Sequence, residues 1–387
     1  MINEGRYIVE LIRAVLEERK AEVDNIQVNY EKLLKLAELH YVTGICYRAI
    51  KDGSGVPEDI LLKMRKSYDM TCAKEAIQEI EVNMILEKLE SSGIKHMPLK
   101  GFILKNIYPR PDMRLSADVD ILIDEEKTNE VEKIMVSLGY TPMSKGVHHD
   151  VYHKKPVMNV EMHKKLMSDL VEIYDYFKDA WEKAVKKEGK QYEYMQSLED
   201  FYIYQMGHLY KHYSKGGSGI RSVLDTYIYL KRYEDILDRG YLDKEFEKMG
   251  ILDFVSTYEQ LSFNWFEEGR VDDELSLYIL SSGVFGTRYH SVLSSTIKKA
   301  SGEESIKKLK FKYLVNRIFL PYNNMKIMYP VLNKVPVLLP LFWVARIARF
   351  LVKGKTSIKD EFEVVGTISE KNLKKMKEIK KESGLTK

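Results

Sequence analysis

Asp118 and Asp120 stand one residue apart in the stretch Met113-Arg114-Leu115-Ser116-Ala117-Asp118-Val119-Asp120-Ile121-Leu122-Ile123. In a strand, alternation puts both carboxylates on one face and sends Val119 and Ile121 to the other, with the core. Two adjacent carboxylates repel unless a cation lies between them. With Arg114 and Ser116 just upstream, the pattern reads as a Mg²⁺ site that meets a phosphate. The plainer reading is a strand end whose carboxylates point to solvent. Ser116 shares the aspartate face and bonds either a phosphate or the neighbouring backbone. Arg114 serves as a phosphate contact or as a salt bridge that positions the strand.

Upstream, the apolar stretch Gly93–Leu104 turns at Lys100-Gly101 into a helix start. A glycine there lets the backbone approach a ligand, the first amides of a helix can hold an anion, and Lys100 adds a compact positive charge. Downstream, Pro156–His163 alternates like a strand, with Glu161 and His163 on one face, which supplies a third carboxylate. His163 positions Glu161, touches a phosphate, or is a packed core histidine. Alternation separates His149 and His153 from His148, which argues against a zinc cluster. Further on, helical spacing pairs His208 with His212 and Arg221 with Asp225. The plain reading of the latter is an intrahelical ion pair worth roughly a few tenths of a kcal/mol.

These residues resemble the uncharacterised bacterial nucleotidyltransferases of the DNA polymerase β superfamily. The shared pattern is Leu99-Lys100-Gly101, then Tyr108-Pro109, then Arg114 with Asp118 and Asp120, then Glu161 two before His163. The likeness extends over most of residues 30 to 230. Phe102 departs from it, because the superfamily usually carries a small residue after the turn glycine. The Arg-x-Ser-x-Asp-x-Asp arrangement is also similar to nucleotidyltransferase toxins of bacterial abortive-infection systems.

The resemblance implies an α+β fold: a small nucleotidyltransferase-type mixed β-sheet core flanked by an N-terminal helical region and a large C-terminal helical domain. It implies that Asp118, Asp120 and Glu161 bind Mg²⁺, with Mn²⁺ as a substitute, and that Glu161 completes a second metal or takes the acceptor proton. Lys100, Gly101, Arg114, Ser116 and His163 would hold the NTP. His208, Arg221 and Asp225 would lie on the acceptor side, as in related antibiotic-modifying enzymes whose helical domain closes over the nucleotide. The hard carboxylates of the superfamily strengthen the case against zinc. The reaction implied is transfer of a nucleoside monophosphate to a small molecule, a tRNA end or a protein side chain. The competing reading is an inactive nucleotide-binding or scaffolding protein, associated with membrane glycan assembly.

Helix periodicity runs from about Tyr7 to Gly93, broken at Lys51–Pro57, and its last helix, near Tyr68 to Ser91, stops at Gly93. Strands are expected near 94–98, 118–124, 148–154 and 157–163, the last two as a hairpin, with helices near 101–107 and 125–138. After about Ser168 the pattern is helical, with loops at 187–189 and at Ser214–Gly219. The second lacks the Gly-Lys-Ser/Thr of a P-loop and reads as a flexible connector. The tyrosines of 201–213 and 227–233 read as helix-packing residues. The expected units are 1–92, 93–167, 168–330 and 331–387.

The chain has 387 residues, 44% of them hydrophobic and 31% charged, with a net charge of +3. This fits a globular protein with a sizeable core and gives no global basic field for nucleic acid. Cys46 and Cys72 suit reduced thiols and, with no signal-peptide pattern at the N-terminus, point to the cytoplasm. No apolar run is long enough to span a bilayer. The apolar run Val335–Ala345, with a helix from Pro340 that aligns Arg346, Arg349 and Lys353, suits a peripheral contact with the inner membrane face through 335–353. It also suits an ordinary core element. The tail to Lys387 mixes lysines with six acidic residues and adds little net attraction.

Overall fold

A computed structural model describes residues 1–53, 55–168, 171–299, 305–353 and 363–385. Helices α1 (Ile2–Leu16), α2 (Tyr30–Leu39), α3 (Thr43–Ile50) and α4 (Glu58–Ser91) lead into the sheet. Asn29 caps α2 by accepting from Lys32 N. The helix expected from Tyr68 begins ten residues earlier, directly after Pro57, and Gly93 at φ +70° turns the chain out of it.

The sheet holds β1 (His96–Pro98), β2 (Val119–Ile123), β3 (Thr141–Lys145), β4 (His149–Lys154) and β5 (Met158–His163), with α5 (Lys100–Leu104) after β1 and α6 (Thr128–Ser137) after β2. Its order is β1-β2-β5-β4-β3. β2 and β5 run parallel, and the other neighbours are antiparallel. The four expected strands are present and the β4–β5 hairpin forms. β3 is an addition: all five of its residues are exposed, so no buried alternation marks it in the sequence.

Alternation divides β2 as its residues dictate. Val119, Ile121 and Ile123 face one apolar cluster with Val82, Ile85 and Leu89 of α4 and Val131 and Met135 of α6. Asp120 and Leu122 face the opposite side, where Leu122 joins a larger cluster shared with the helical part of the chain. The sheet is thus covered on both faces, and its polar residues sit where the larger cluster opens.

After the sheet come α7 (Tyr174–Phe177), α8 (Ala180–Lys183), a small hairpin β6 (Val185–Lys186) and β7 (Tyr194–Met195), then α9 (Leu198–Gly216) and α10 (Ile220–Tyr233). They continue through α11 (Arg239–Lys248), α12 (Leu252–Phe266), α13 (Glu274–Ser282), α14 (Arg288–Lys299), α15 (Ile306–Ile318), α16 (Tyr322–Met328) and α17 (Leu339–Lys353), and close with the helix Glu370–Glu382. The tyrosines pack between helices as expected: Tyr202 and Phe201 both stack on Tyr229.

Packing runs across residue 92: α1 to α3 and Ile60 and Met64 of α4 share one core with α9 to α13, while Val82, Ile85 and Leu89 of α4 cover the sheet. Further along, Leu373, Met376 and Ile379 enter that core, whereas residues 335–349 lie outside both clusters. The Ser214–Gly219 connector is also packed rather than loose. Ser218 is buried against Tyr258, with their hydroxyls 2.9 Å apart, and Ile220 N donates to His40 Nδ1 at 3.0 Å. Its glycines serve close approach: a Cβ on Gly219 would lie 2.4 Å from His40 Nδ1.

Candidate active site

The parallel pairing of β2 with β5 sets Asp120 opposite Glu161 and Leu122 opposite His163. Asp118 lies one residue before β2, in a loop fixed from two sides. Ser116 Oγ donates to Asp118 O at 2.8 Å, and Lys74 of α4 donates to Ala117 O at 3.2 Å. Ser116 therefore takes the backbone role of its two readings.

Asp120 is tightly held. Its Oδ1 lies 2.8 Å from His163 Nε2 and its Oδ2 3.3 Å from Lys100 Nζ. Burial pushes its pKa up, but Lys100 and His163 overrule this and keep it well below the usual carboxylate range. Asp118 goes the other way: burial, then the charges of Asp120 and Glu161, raise it. Glu161 is lowered chiefly by its bond with His163. Burial pulls His163 down, yet its bonds to Asp120 and Glu161 leave it above the ordinary imidazole value. In the metal-free chain a proton on His163 thus sits between two carboxylates, where Asp120, Glu161 and His163 bring one ligand atom each within 4.8 Å of one another. A buried carboxylate with a raised pKa beside this group fits a divalent cation, which would relieve the repulsion that a proton relieves only in part.

Lys100 opens α5 at φ +36°, a left-handed conformation that is costly for a residue with a Cβ. α5 has only five residues, so the anion-holding helix start expected there reduces to Lys100 and Gly101. Gly101 is required by crowding: a Cβ would meet Arg114 Nη1 and Ser116 Oγ, each at 2.8 Å. Phe102 does not obstruct the site. Its side chain packs on the α4–α6 side of the sheet, with Lys105 Nζ 4.4 Å from its ring centroid.

Arg114 and Asp225 are bound to each other, Nε to Oδ1 at 2.7 Å and Nη2 to Oδ2 at 2.8 Å, while Tyr108 donates to Oδ1 at 2.6 Å. Arg221 Nη1 donates to Leu115 O at 2.9 Å. The intrahelical Arg221–Asp225 pair is therefore replaced: both residues of α10 reach the loop before β2. Arg114 takes its positioning role, with Nη1 beside Gly101 left to face the cleft.

All eleven residues singled out in the sequence border one cavity of about 340 Å³: Lys100, Gly101, Arg114, Ser116, Asp118, Asp120, Glu161, His163, His208, Arg221 and Asp225. A family model described as an uncharacterised nucleotidyltransferase matches residues 27–267. The chain belongs to this nucleotidyltransferase family. The matched span runs from the segment before α2 through α12 and so contains every residue just named. No curated protein and no solved structure matches the chain.

For a nucleotidyltransferase, the wall contributed by α9 is the part that sequence reasoning underestimates. Lys211 and His212 join His208 at the cavity, with the Nε2 atoms of His208 and His212 3.2 Å apart. Burial and then the Lys100 charge lower Lys211 to about 8. Its signal was present: three residues after His208, it lies on the same helical face. His148 and His149 both border the cavity, where alternation was expected to separate them. His148 lies outside β4, so alternation does not govern it, and His149 is the cross-strand partner of His163. Only His153 is turned away, into solvent.

Proposed function

We propose that this nucleotidyltransferase is Mg²⁺-dependent and moves a nucleoside monophosphate from an NTP to an oxygen of an acceptor bound against α9 and α10. The observation that carries the reading is the convergence of Asp118, Asp120 and Glu161 on a cavity that Lys100, Lys211 and Arg221 also border. Asp118, Asp120 and Glu161 would hold the cation, which neutralises triphosphate charge and aligns the pyrophosphate leaving group. The acceptor oxygen bonds to the α-phosphorus as the bond to pyrophosphate breaks.

Lys100 now bonds Asp120 and would turn its ammonium toward the phosphates. Glu161, with His163 Nε2 3.4 Å and His149 Nε2 3.6 Å from its Oε2, is placed to take the acceptor proton. A small hydroxylated molecule suits a cavity of about 340 Å³ walled by α9 and α10 better than a folded protein does. The cytoplasm, where NTP and Mg²⁺ are available, is the compartment this reading requires.

The test is a screen of α-labelled NTPs with Mg²⁺ or Mn²⁺ against fractionated cell extract, scored for pyrophosphate release and label transfer. Transfer by the wild-type chain, lost in Asp118→Asn, supports the reading. Mg²⁺-dependent NTP binding by calorimetry with no transfer in any fraction would replace it with the non-catalytic, scaffolding one.

A further inference from the structure

Beside the carboxylates lies a second group of metal-binding character. His148, His149 and His163 each bring one ring nitrogen within 4.8 Å of the other two. Their ring centroids are 5.1 to 5.3 Å apart. The arrangement is built rather than accidental. His149 and His163 are direct partners across β4 and β5, and His148 is pinned by its carbonyl, which accepts from Lys164 N at 2.9 Å.

The Nδ1 atoms of all three rings are buried with no hydrogen-bond partner, and His163 is only 4% exposed. A buried, unsatisfied ring nitrogen costs about 1–3 kcal/mol, and three in one cluster call for a shared partner. By contrast His40 uses both ring nitrogens, and the lone unpartnered Nε2 of His96 has no second such nitrogen clustered with it. Imidazole nitrogens favour borderline transition metals over Mg²⁺.

We propose that His148, His149 and His163 form a transition-metal site for Zn²⁺, with Co²⁺ as a spectroscopic substitute, next to the carboxylate position and sharing His163 with it. The proposal does not depend on nucleotidyl transfer, since it is read in the absence of nucleotide. The measurement is equilibrium dialysis of the full chain against ZnCl₂ with elemental analysis, and CoCl₂ titration followed by visible d–d absorption. One tight equivalent is expected. His148→Ala and His149→Gln should each weaken it by more than about 100-fold, beyond the loss of an outer-shell partner. Asp118→Asn should keep it. Both histidines are partly exposed, and a cooperative melt of each variant confirms that it folds. No Zn²⁺ uptake, or uptake lost in Asp118→Asn but kept in His148→Ala, overturns the site.

A different observation carries a second inference. From Ser305 to Lys353 the chain has ten Lys and Arg and no Asp or Glu. The same segment exposes large apolar side chains: Phe311 is 69% exposed, Val337 80%, Leu341 62% and Val344 63%. It is nonetheless folded on itself. Trp343 packs edge-on against Phe319 and donates to Leu320 O at 2.9 Å, and Tyr329 meets Phe342 at 4.6 Å. No described helix is long and apolar enough to cross a membrane.

We infer that α15 to α17 form a docking face for an anionic bilayer surface, because a segment with a net excess of basic residues beside exposed aliphatic groups matches lipid phosphates over acyl chains. The test is flotation of the full chain with phosphatidylcholine vesicles, with and without phosphatidylglycerol. Flotation on the anionic vesicles alone, abolished in Leu341→Glu/Val344→Glu, supports the inference. Absence of flotation overturns it. So does a dimer in lipid-free solution that the same double variant disperses, which would make a second copy the occupant.

Discussion

Arg114 and Asp225 form a two-point ion pair that ties the loop entering β2 to α10, with both side chains buried. It fixes the acceptor-side helix relative to the strand that carries Asp120, and so sets the width of the cleft. Arg221 adds a second tie to Leu115 O.

Removing one member of a buried pair strands the other charge. Asp225→Ala should therefore cost about 3–5 kcal/mol in urea unfolding. The double variant Arg114→Met/Asp225→Leu should recover much of that loss, because no charge is left unpaired. Equal losses in the single and double variants would mean that packing, not charge, dominates.

The two aspartates should respond to amidation with opposite signs. Asp118 has a raised pKa in the fold, so its contribution is favourable at low pH and is lost as pH rises through that folded value. In metal-free buffer at pH 7, Asp118→Asn should melt at or above the wild-type temperature, the gain fading toward pH 4. Asp120 has a lowered pKa, so its stabilisation is present above the unfolded value and Asp120→Asn should melt lower. Both variants should lose transfer activity. Calorimetry from pH 4 to 8 decides the signs.

Lys100 is assigned to phosphate, so its loss should discriminate between ligands. Lys100→Ala should weaken NTP binding by about 1.5–3 kcal/mol, the worth of a charged hydrogen bond, and leave nucleoside binding nearly unchanged. Lys100→Gly should bind NTP as poorly yet be more stable than Lys100→Ala by about 1 kcal/mol, because glycine relaxes the left-handed backbone. Isothermal titration with NTP and nucleoside, paired with thermal melts, measures both.

His40 makes the fold acid-sensitive. Burial lowers its pKa to about 4, with Nδ1 accepting from Ile220 N and Nε2 donating to Leu280 O. The unfolded chain protonates first, near the ordinary value of about 6.5, so stability is full above that pH and falls as pH drops toward 4, by about 3 kcal/mol. His40→Gln should flatten this part of the profile in urea titrations. Since His40 receives the first amide of α10, acid should loosen the helix that carries Arg221 and Asp225.

Much of the site was legible because its chemistry is local. Period two set Asp120, Glu161 and His163 on the sheet face that borders the cavity, Asp118 reaches the same cavity from the loop before β2, and the Lys100-Gly101 turn is written in adjacent residues. What was hidden depends on register and distance. His149 joins His163 only through the pairing of β4 with β5, which composition does not reveal. Asp225 looked like a partner for Arg221, four residues away on one helix face, but took Arg114, because tertiary packing offered a two-point bond. The glycines of 214–219 read as slack, yet they are there to let His40 and Ser282 approach. β3 left no trace because an exposed edge strand needs no apolar alternation.

One core joins Ile8 and Leu11 of α1 to Leu275 and Ile279 of α13 and to Leu373 and Met376, more than 350 residues after α1. On the ribosome, the early helices and the sheet emerge long before these partners exist. The cleft cannot acquire its full backing until synthesis has passed Met376, so chains arrested before that point would expose apolar α1 surface and depend on chaperones during translation.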